Sequence, residues 1–232
     1  MLSKKYLILI LCLCNAFFSL YPQEIITADR YLQAVSERYA GIRDYEAHVV
    51  IRSGTTDMTG NLSFLDPNLL RIDFTSPAEQ VMVFNGEFLA VYIPALRSVL
   101  HQSVAPLRRG ANPAGVASMA SAQGLQLLRR GYIPSFLIGP DPVPLDERNP
   151  ELVVKLRLTR RLASEGFREI ILNINPQTLL IRRIEGRTLA DAMVRIDFLN
   201  MRTNLGIPEL RFIYDLPPTA NVHHNFLFRD TD

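Results

Sequence analysis

The 232-residue sequence predicts a mainly β protein with a few helices (α+β), its large antiparallel sheet curling toward a barrel or half-barrel. Three observations lead there. Segments with apolar residues at every second position recur from about residue 45 to 102 and again from 154 to 215. Turn residues punctuate the first block, with no helical spacing between its strands. About ten or eleven such strands compete for two or three helices as cover, and a one-sided sheet of that size cannot stay flat.

In chain order, Lys4 and Lys5 precede an apolar run from Tyr6 to Leu13 that extends to about Leu20. A basic start and an oily stretch too short to span a bilayer comfortably predict an export signal over residues 1–23, ahead of one domain over 24–232. Ala16 and Ser19 are the candidate small residues for cleavage. Cys14 follows Leu13, too bulky for the small position before an acylated cysteine, so no lipid anchor is expected there. Cleavage removes Cys12 and Cys14, the 2 cysteines of the chain. The exported domain then has no disulfide and must be held by its core, for which about 210 residues are ample. Losing Lys4 and Lys5 from the 25 basic residues leaves 23 against 23 acids. Such a balance offers no general field for nucleic acid. Lys155 is then the sole lysine among arginines.

Leu32, Val35 and Tyr39 form one stripe of a helix over Asp29–Ala40, with Thr27 as cap, Asp29 at the positive end and Gly41 at the stop. Strands are expected at 45–53, 58–65, 69–75, 80–85, 87–93 and 97–102. Asp66-Pro67-Asn68 marks one turn, and Asn85-Gly86 marks a two-residue hairpin with both residues at positive φ. The strand at 87–93 has two apolar faces, Phe88/Ala90/Tyr92 and Leu89/Val91/Ile93, and either can point inward. From Pro106 to Arg130, alanines with Met119, Leu125 and Leu128 predict one or two small-residue helices, broken near 110–113 and at Gly124. Pro134, Pro140, Pro142, Pro144 and Pro150 predict a long structureless connection that covers or functions. Alternation returns at 154–159, 170–175, 194–198 and 210–215.

The alanine-rich insertion has little bulk to fill the concavity, so a lipid-sized hydrophobic cavity is expected. Its first wall is Leu62, Phe64, Leu70, Ile72 and Phe74. Its second is Leu156, Leu172, Val194, Ile196, Phe198, Leu210 and Phe212. No catalytic residue, cofactor or metal is expected. His223 and His224 are adjacent and would face opposite ways on a strand; His48 and His101 are the other histidines, and no cysteine remains to join them. No Gly-x-Ser-x-Gly elbow, phosphate loop or His-Glu-x-x-His helix occurs. Asp141, Asp146 and Glu147 are the best acid pair a hydrolase could use, and a hydrated loop explains them better. The arginine pairs 108–109, 129–130, 160–161 and 182–183 read as solvated strand or helix ends.

The ordered series Gly60, Leu62, Phe64, Pro67, Leu70-Arg71, Phe74, Pro77, Asn85-Gly86, Tyr92 and Pro94 resembles the outer-membrane lipoprotein carrier family, often called LolA. So do Ile170–Ile174, Leu179–Glu185, Ile196–Asn200, Asn204, Phe212 and Pro217-Pro218. The resemblance spans about residues 27 to 228. It implies an incomplete β-barrel with helices as a lid over a hydrophobic cavity. It also implies a periplasmic, monomeric chaperone of a diderm bacterium, engaged in protein transport and outer-membrane biogenesis. Cargo would be acylated lipoproteins, taken from an inner-membrane ABC transporter and passed to an outer-membrane acceptor. A lipid- or lipoprotein-binding sensor on the same fold is the alternative. The best-known carriers place an arginine directly before the turn proline, where it helps hold the lid; here that position is Asp66, and the latch does not carry over. Arg71 is a different position, expected to face solvent.

Overall fold

In the computed structural model, which describes residues 26–103, 118–163 and 165–224, the chain enters through helix α1 (Ala28–Ala40). The Thr27 hydroxyl accepts from the Arg30 amide and Asp29 lies in the first turn. Gly41 ends the helix at φ −88°, so the stop uses no left-handed residue. An antiparallel meander follows: β1 (Asp44–Ser53), β2 (Thr56–Leu65), β3 (Leu69–Ser76), β4 (Val81–Phe84), β5 (Phe88–Ile93) and β6 (Ser98–Ser103). Helix α2 (Ala122–Gly131) leads directly into β7 (Tyr132–Phe136) and then β8 (Val143–Asp146). A second meander runs through β9 (Asn149–Arg160), β10 (Phe167–Ile174), β11 (Ile181–Thr188) and β12 (Met193–Thr203). Strand β1 pairs with β12 and welds the two meanders into one sheet, in the order β13-β6-β5-β4-β3-β2-β1-β12-β11-β10-β9-β7. Its edges, β7 and β13 (Asn221–His224), do not pair, so the sheet is open and curved.

Alternation decides the faces. In β3, Leu70, Ile72 and Phe74 are buried while Arg71 and Asp73 point the other way. The core gathers one apolar face of both meanders under Leu32, Val35 and Tyr39 of α1 and Leu125 and Leu128 of α2. Leu89 belongs to that core and Val91 packs against it, which settles the inner face of β5. Gly60 permits a close approach: a Cβ there would stand 2.7 Å from the Asp73 carbonyl.

Several expectations are corrected. Residues 131–150 are not structureless, since β7 and β8 both pair with β9; Pro134 and Pro144 are tolerated because these strands lie at the margin. Gly124 does not break a helix. It sits inside α2, where a Cβ would collide with the Ser118 carbonyl. In the β4–β5 turn only Gly86 has positive φ (98°). The Asn85 carboxamide accepts from the Glu87 and Phe88 amides at 3.1 and 2.8 Å, and the Asn85 amide donates to the Phe88 carbonyl at 3.2 Å, so the turn is centred on Gly86-Glu87 rather than on Asn85-Gly86. Residues 210–215 do not form a strand: Glu209–Phe212 is a single 3₁₀ turn. The expected break at 110–113 and the pair 108–109 lie outside the described residues.

Candidate functional site

Eleven of the twelve residues expected to line the interior are buried, and ten of them converge in the apolar core. Leu62, Phe64, Leu70, Ile72 and Phe74 come from β2 and β3; Leu156, Leu172, Val194, Ile196 and Phe198 come from β9, β10 and β12. Phe212 is buried outside that cluster, and Leu210 is 75% exposed. Both departures have one cause. The segment after β12 leaves the sheet and crosses its outer face, so alternation in 210–215 does not record strand faces.

The helices meet the sheet mainly through apolar contact, with a few polar ties. The Ile181 amide donates to the Tyr39 hydroxyl at 3.1 Å, and Arg38 donates to the Thr178 carbonyl at 3.3 Å. The Tyr39 hydroxyl also approaches Met201 Sδ at 3.9 Å. Burial pushes the Tyr39 and Tyr45 phenols up from their ordinary range. Tyr45 stacks on Phe64 with ring centroids 5.1 Å apart. Its hydroxyl is buried with no hydrogen-bond partner among the described residues. Asp66, at the position of the family's latch arginine, is exposed; its amide donates to the Arg43 carbonyl at 2.7 Å.

The outer face is polar and equally organised. Arg71, expected in solvent, is covered: it binds Asp73 and donates to the Arg211 and Ile213 carbonyls at 3.1 and 3.4 Å. Arg211 reaches back to Asp73 and to the Ser63 hydroxyl, and Arg71 lies over the Tyr214 ring at 5.7 Å. These contacts strap the chain after β12 across β3. The Asn221 amide then donates to the Arg97 carbonyl at 2.8 Å, and β13 pairs in parallel with β6. In the second meander, Arg183 binds Asp197 at 2.6 Å and Asp146 at 2.9 Å, while Arg182 binds Glu151 at 2.7 Å and Asp197 at 3.2 Å. The 182–183 pair therefore lies near the start of β11, as an end pair would, but it is covered and ion-paired rather than solvated. One guanidinium fork ties two or three strands at once, which a lysine cannot do, and this accounts for arginines on this face.

Of the three acids nominated for a hydrolase, Asp146 is held in an ion pair. The hydrogen bond from Arg183 holds the Asp146 carboxyl below its ordinary range, an ion-pair acceptor rather than a general acid. No group of three or more metal-ligating side chains occurs among the described residues. His101 stacks on Phe88 at 4.8 Å and meets the His224 ring at 5.2 Å, a contact that the chain order of the histidines does not announce.

The sequence model of the family described as outer membrane lipoprotein carrier protein LolA matches residues 50–114. No curated protein sequence matches the chain. Among solved structures, an uncharacterized conserved protein from Thermus thermophilus superposes with a TM-score of 0.51 at 13% identity, over 83% of this chain and 98% of that one. A LolA superfamily protein from Nitrosomonas europaea gives 0.41 at 15% identity, over 82% and 98%. The Mycobacterium tuberculosis lipoprotein LppX gives 0.49 at 9% identity, over 78% and 98%. With the family match falling on the β1–β6 meander, and an open curved sheet backed by helices around it, this chain is LolA-like.

Proposed function

We propose that this protein is a periplasmic carrier that encloses the acyl chains of lipoproteins and moves them from the inner to the outer membrane. The observation that carries the reading is the LolA match over residues 50–114, which falls on strands that supply one wall of the apolar interior. Lipid or lipoprotein binding is what a LolA-like fold suggests, and proteins of this kind bind and carry rather than catalyse. Among the described residues, no helix is long and apolar enough to cross a membrane.

The physical case is a balance. Each buried methylene gains about 0.8 kcal/mol, so a sixteen-carbon chain gains on the order of 13 kcal/mol when fully enclosed. A carrier must replace most of that gain and still release. Helices held to the sheet by apolar contact and a few hydrogen bonds can exchange that contact for an acyl chain at small net cost, because one oily surface substitutes for another. Transfer then needs only an acceptor that binds better. In this reading the inner-membrane ABC transporter loads the interior, an outer-membrane acceptor empties it, and the protein acts as a monomer without a cofactor.

The exported domain, purified gently from a periplasm, is expected to carry acylated species in native mass spectrometry and to release newly made lipoproteins from spheroplasts. A lipid-free protein with no release activity sinks the proposal. Phe74→Glu is expected to cut lipid retention in protein that circular dichroism shows to be folded, and unchanged retention would move the binding surface elsewhere.

A further inference from the structure

Because the strands alternate, the β1–β2, β3–β4, β5–β6, β9–β10 and β11–β12 connections all lie at one end of the sheet. Part of that end is oily. Leu162 in the β9–β10 connection is 62% exposed, Leu189 in the β11–β12 connection 44%, Met193 at the start of β12 43%, and Ile133 at the start of β7 51%. The segments that carry them are tied together. The Arg161 amide donates to the Gly131 carbonyl at 2.9 Å, and an Arg168 guanidinium nitrogen donates to the Leu189 carbonyl at 2.7 Å, stitching the two connections and the start of β7 together.

Arginines surround these side chains. Arg160, Arg161, Arg168 and Arg187 all lie on this stretch of the rim. Arg187 pairs with Asp191 at 3.3 Å. Arg161 and Arg168 donate to the carbonyls of Tyr132 and Leu189, bonds that order the guanidinium without neutralising it. Arg160 has no ion-pair partner among the described residues. Besides Asp191, the nearby carboxylates are Glu165, which is buried, and Glu169, opposite Arg187 in the ladder and neutralised by Arg157 at 3.1 Å. The rim therefore presents apolar tips within an excess of positive charge.

We infer that this end of the sheet docks on an anionic bilayer surface, with Leu162 and Leu189 entering the headgroup region and the arginines on lipid phosphates. The apolar tips expose on the order of 350 Å², well below the roughly 800 Å² per partner of a standard protein interface. They stand on separate turns rather than one flat face, which suits a deformable lipid surface. Interfacial anchoring combines apolar insertion with attraction to anionic lipid, and each arginine near such a surface is worth about a fivefold change in binding. The inference does not depend on what the interior holds.

Flotation of the exported domain with vesicles tests it. Vesicles of phosphatidylethanolamine with phosphatidylglycerol are expected to capture the protein, pure phosphatidylcholine vesicles to capture much less, and salt to weaken capture. Leu162→Glu and Leu189→Glu are each expected to lower capture about tenfold or more, and Arg160→Glu at least fivefold. Ile138→Glu, exposed beyond the opposite end of β7, is expected to leave it unchanged. Absence of capture by anionic vesicles, equal capture by neutral ones, or an Ile138→Glu loss equal to that of Leu162→Glu would each overturn the assignment. Circular dichroism confirms that every variant is folded, and lipoprotein release from spheroplasts reports separately on the carrier function.

Discussion

The two faces of β12 carry opposite chemistry on adjacent residues. Phe198 points into the apolar core, while Asp197 points out to hold Arg182 and Arg183, and both are at least 95% buried. Burial alone therefore does not mark the binding side of this sheet. The inner face is apolar, undirected and adaptable, so other apolar matter can replace its contacts. The outer face is a set of directional ion pairs whose partners cannot be exchanged without stranding a charge. The proposed carrier role requires one face to yield while the other holds the sheet's curvature, and this division of chemistry is consistent with that requirement.

The largest expected effects separate the faces. Asp197→Ala removes the buried carboxylate that two guanidiniums share, leaving Arg183 with Asp146 and Arg182 with Glu151, and is expected to cost about 3 kcal/mol in denaturant unfolding, with acyl retention unchanged at temperatures where the variant stays folded. Phe198→Ala is expected to cost a similar 3–5 kcal/mol and also to reduce retention. If both lose retention equally, the distinction between faces fails.

Smaller effects sharpen it. Tyr45→Phe removes a buried hydroxyl without a partner and is expected to raise stability by about 1 kcal/mol in the same unfolding assay; a loss would reveal a partner for that group. Arg211→Ala is expected to cost about 1 kcal/mol, its half-exposed position reducing the worth of its pairing with Asp73, and to speed hydrogen exchange across residues 205–224. Exchange unchanged there would mean that the Arg71 bonds, Phe212 and the β13–β6 pairing hold the strap without Arg211.

The smallest effect concerns pH. Burial first, and the His224 ring second, hold the His101 imidazole below its ordinary value of 6.5. A base with a lowered folded pKa favours folding while neutral, so its penalty is absent well above 6.5 and grows as pH falls through that value. Pairing of β13 with β6 is expected to loosen on acidification, read as faster exchange at Val222–His224, and His101→Gln is expected to flatten that response.

Much of this architecture was legible in the chain. Period-two alternation located both meanders, and the inward residues of β2, β3, β9, β10 and β12 follow from it because one face of a wet sheet must be apolar. The failures are equally physical. Alternation in 210–215 resembles a strand, yet Pro208 and Pro217-Pro218 bracket it and β3 already has both its neighbours, leaving the outer surface as its place. Proline density suggested a structureless connection at 131–150, where margin strands tolerate prolines. Arg182 and Arg183 looked like a solvated pair because their carboxylates, Asp146, Glu151 and Asp197, are distant in sequence.

By itself, then, the sequence determined the class of fold, the apolar face of each strand, the first helix with its cap, and the likeness to lipoprotein carriers. These depend on local spacing, which a linear chain records. The tertiary structure decided which edges remain open, how the chain after β12 straps the outer face, which arginines are buried, and where the exposed leucines of separate turns meet. Those depend on segments brought together only when β1 pairs with β12, and no spacing along the chain encodes that meeting.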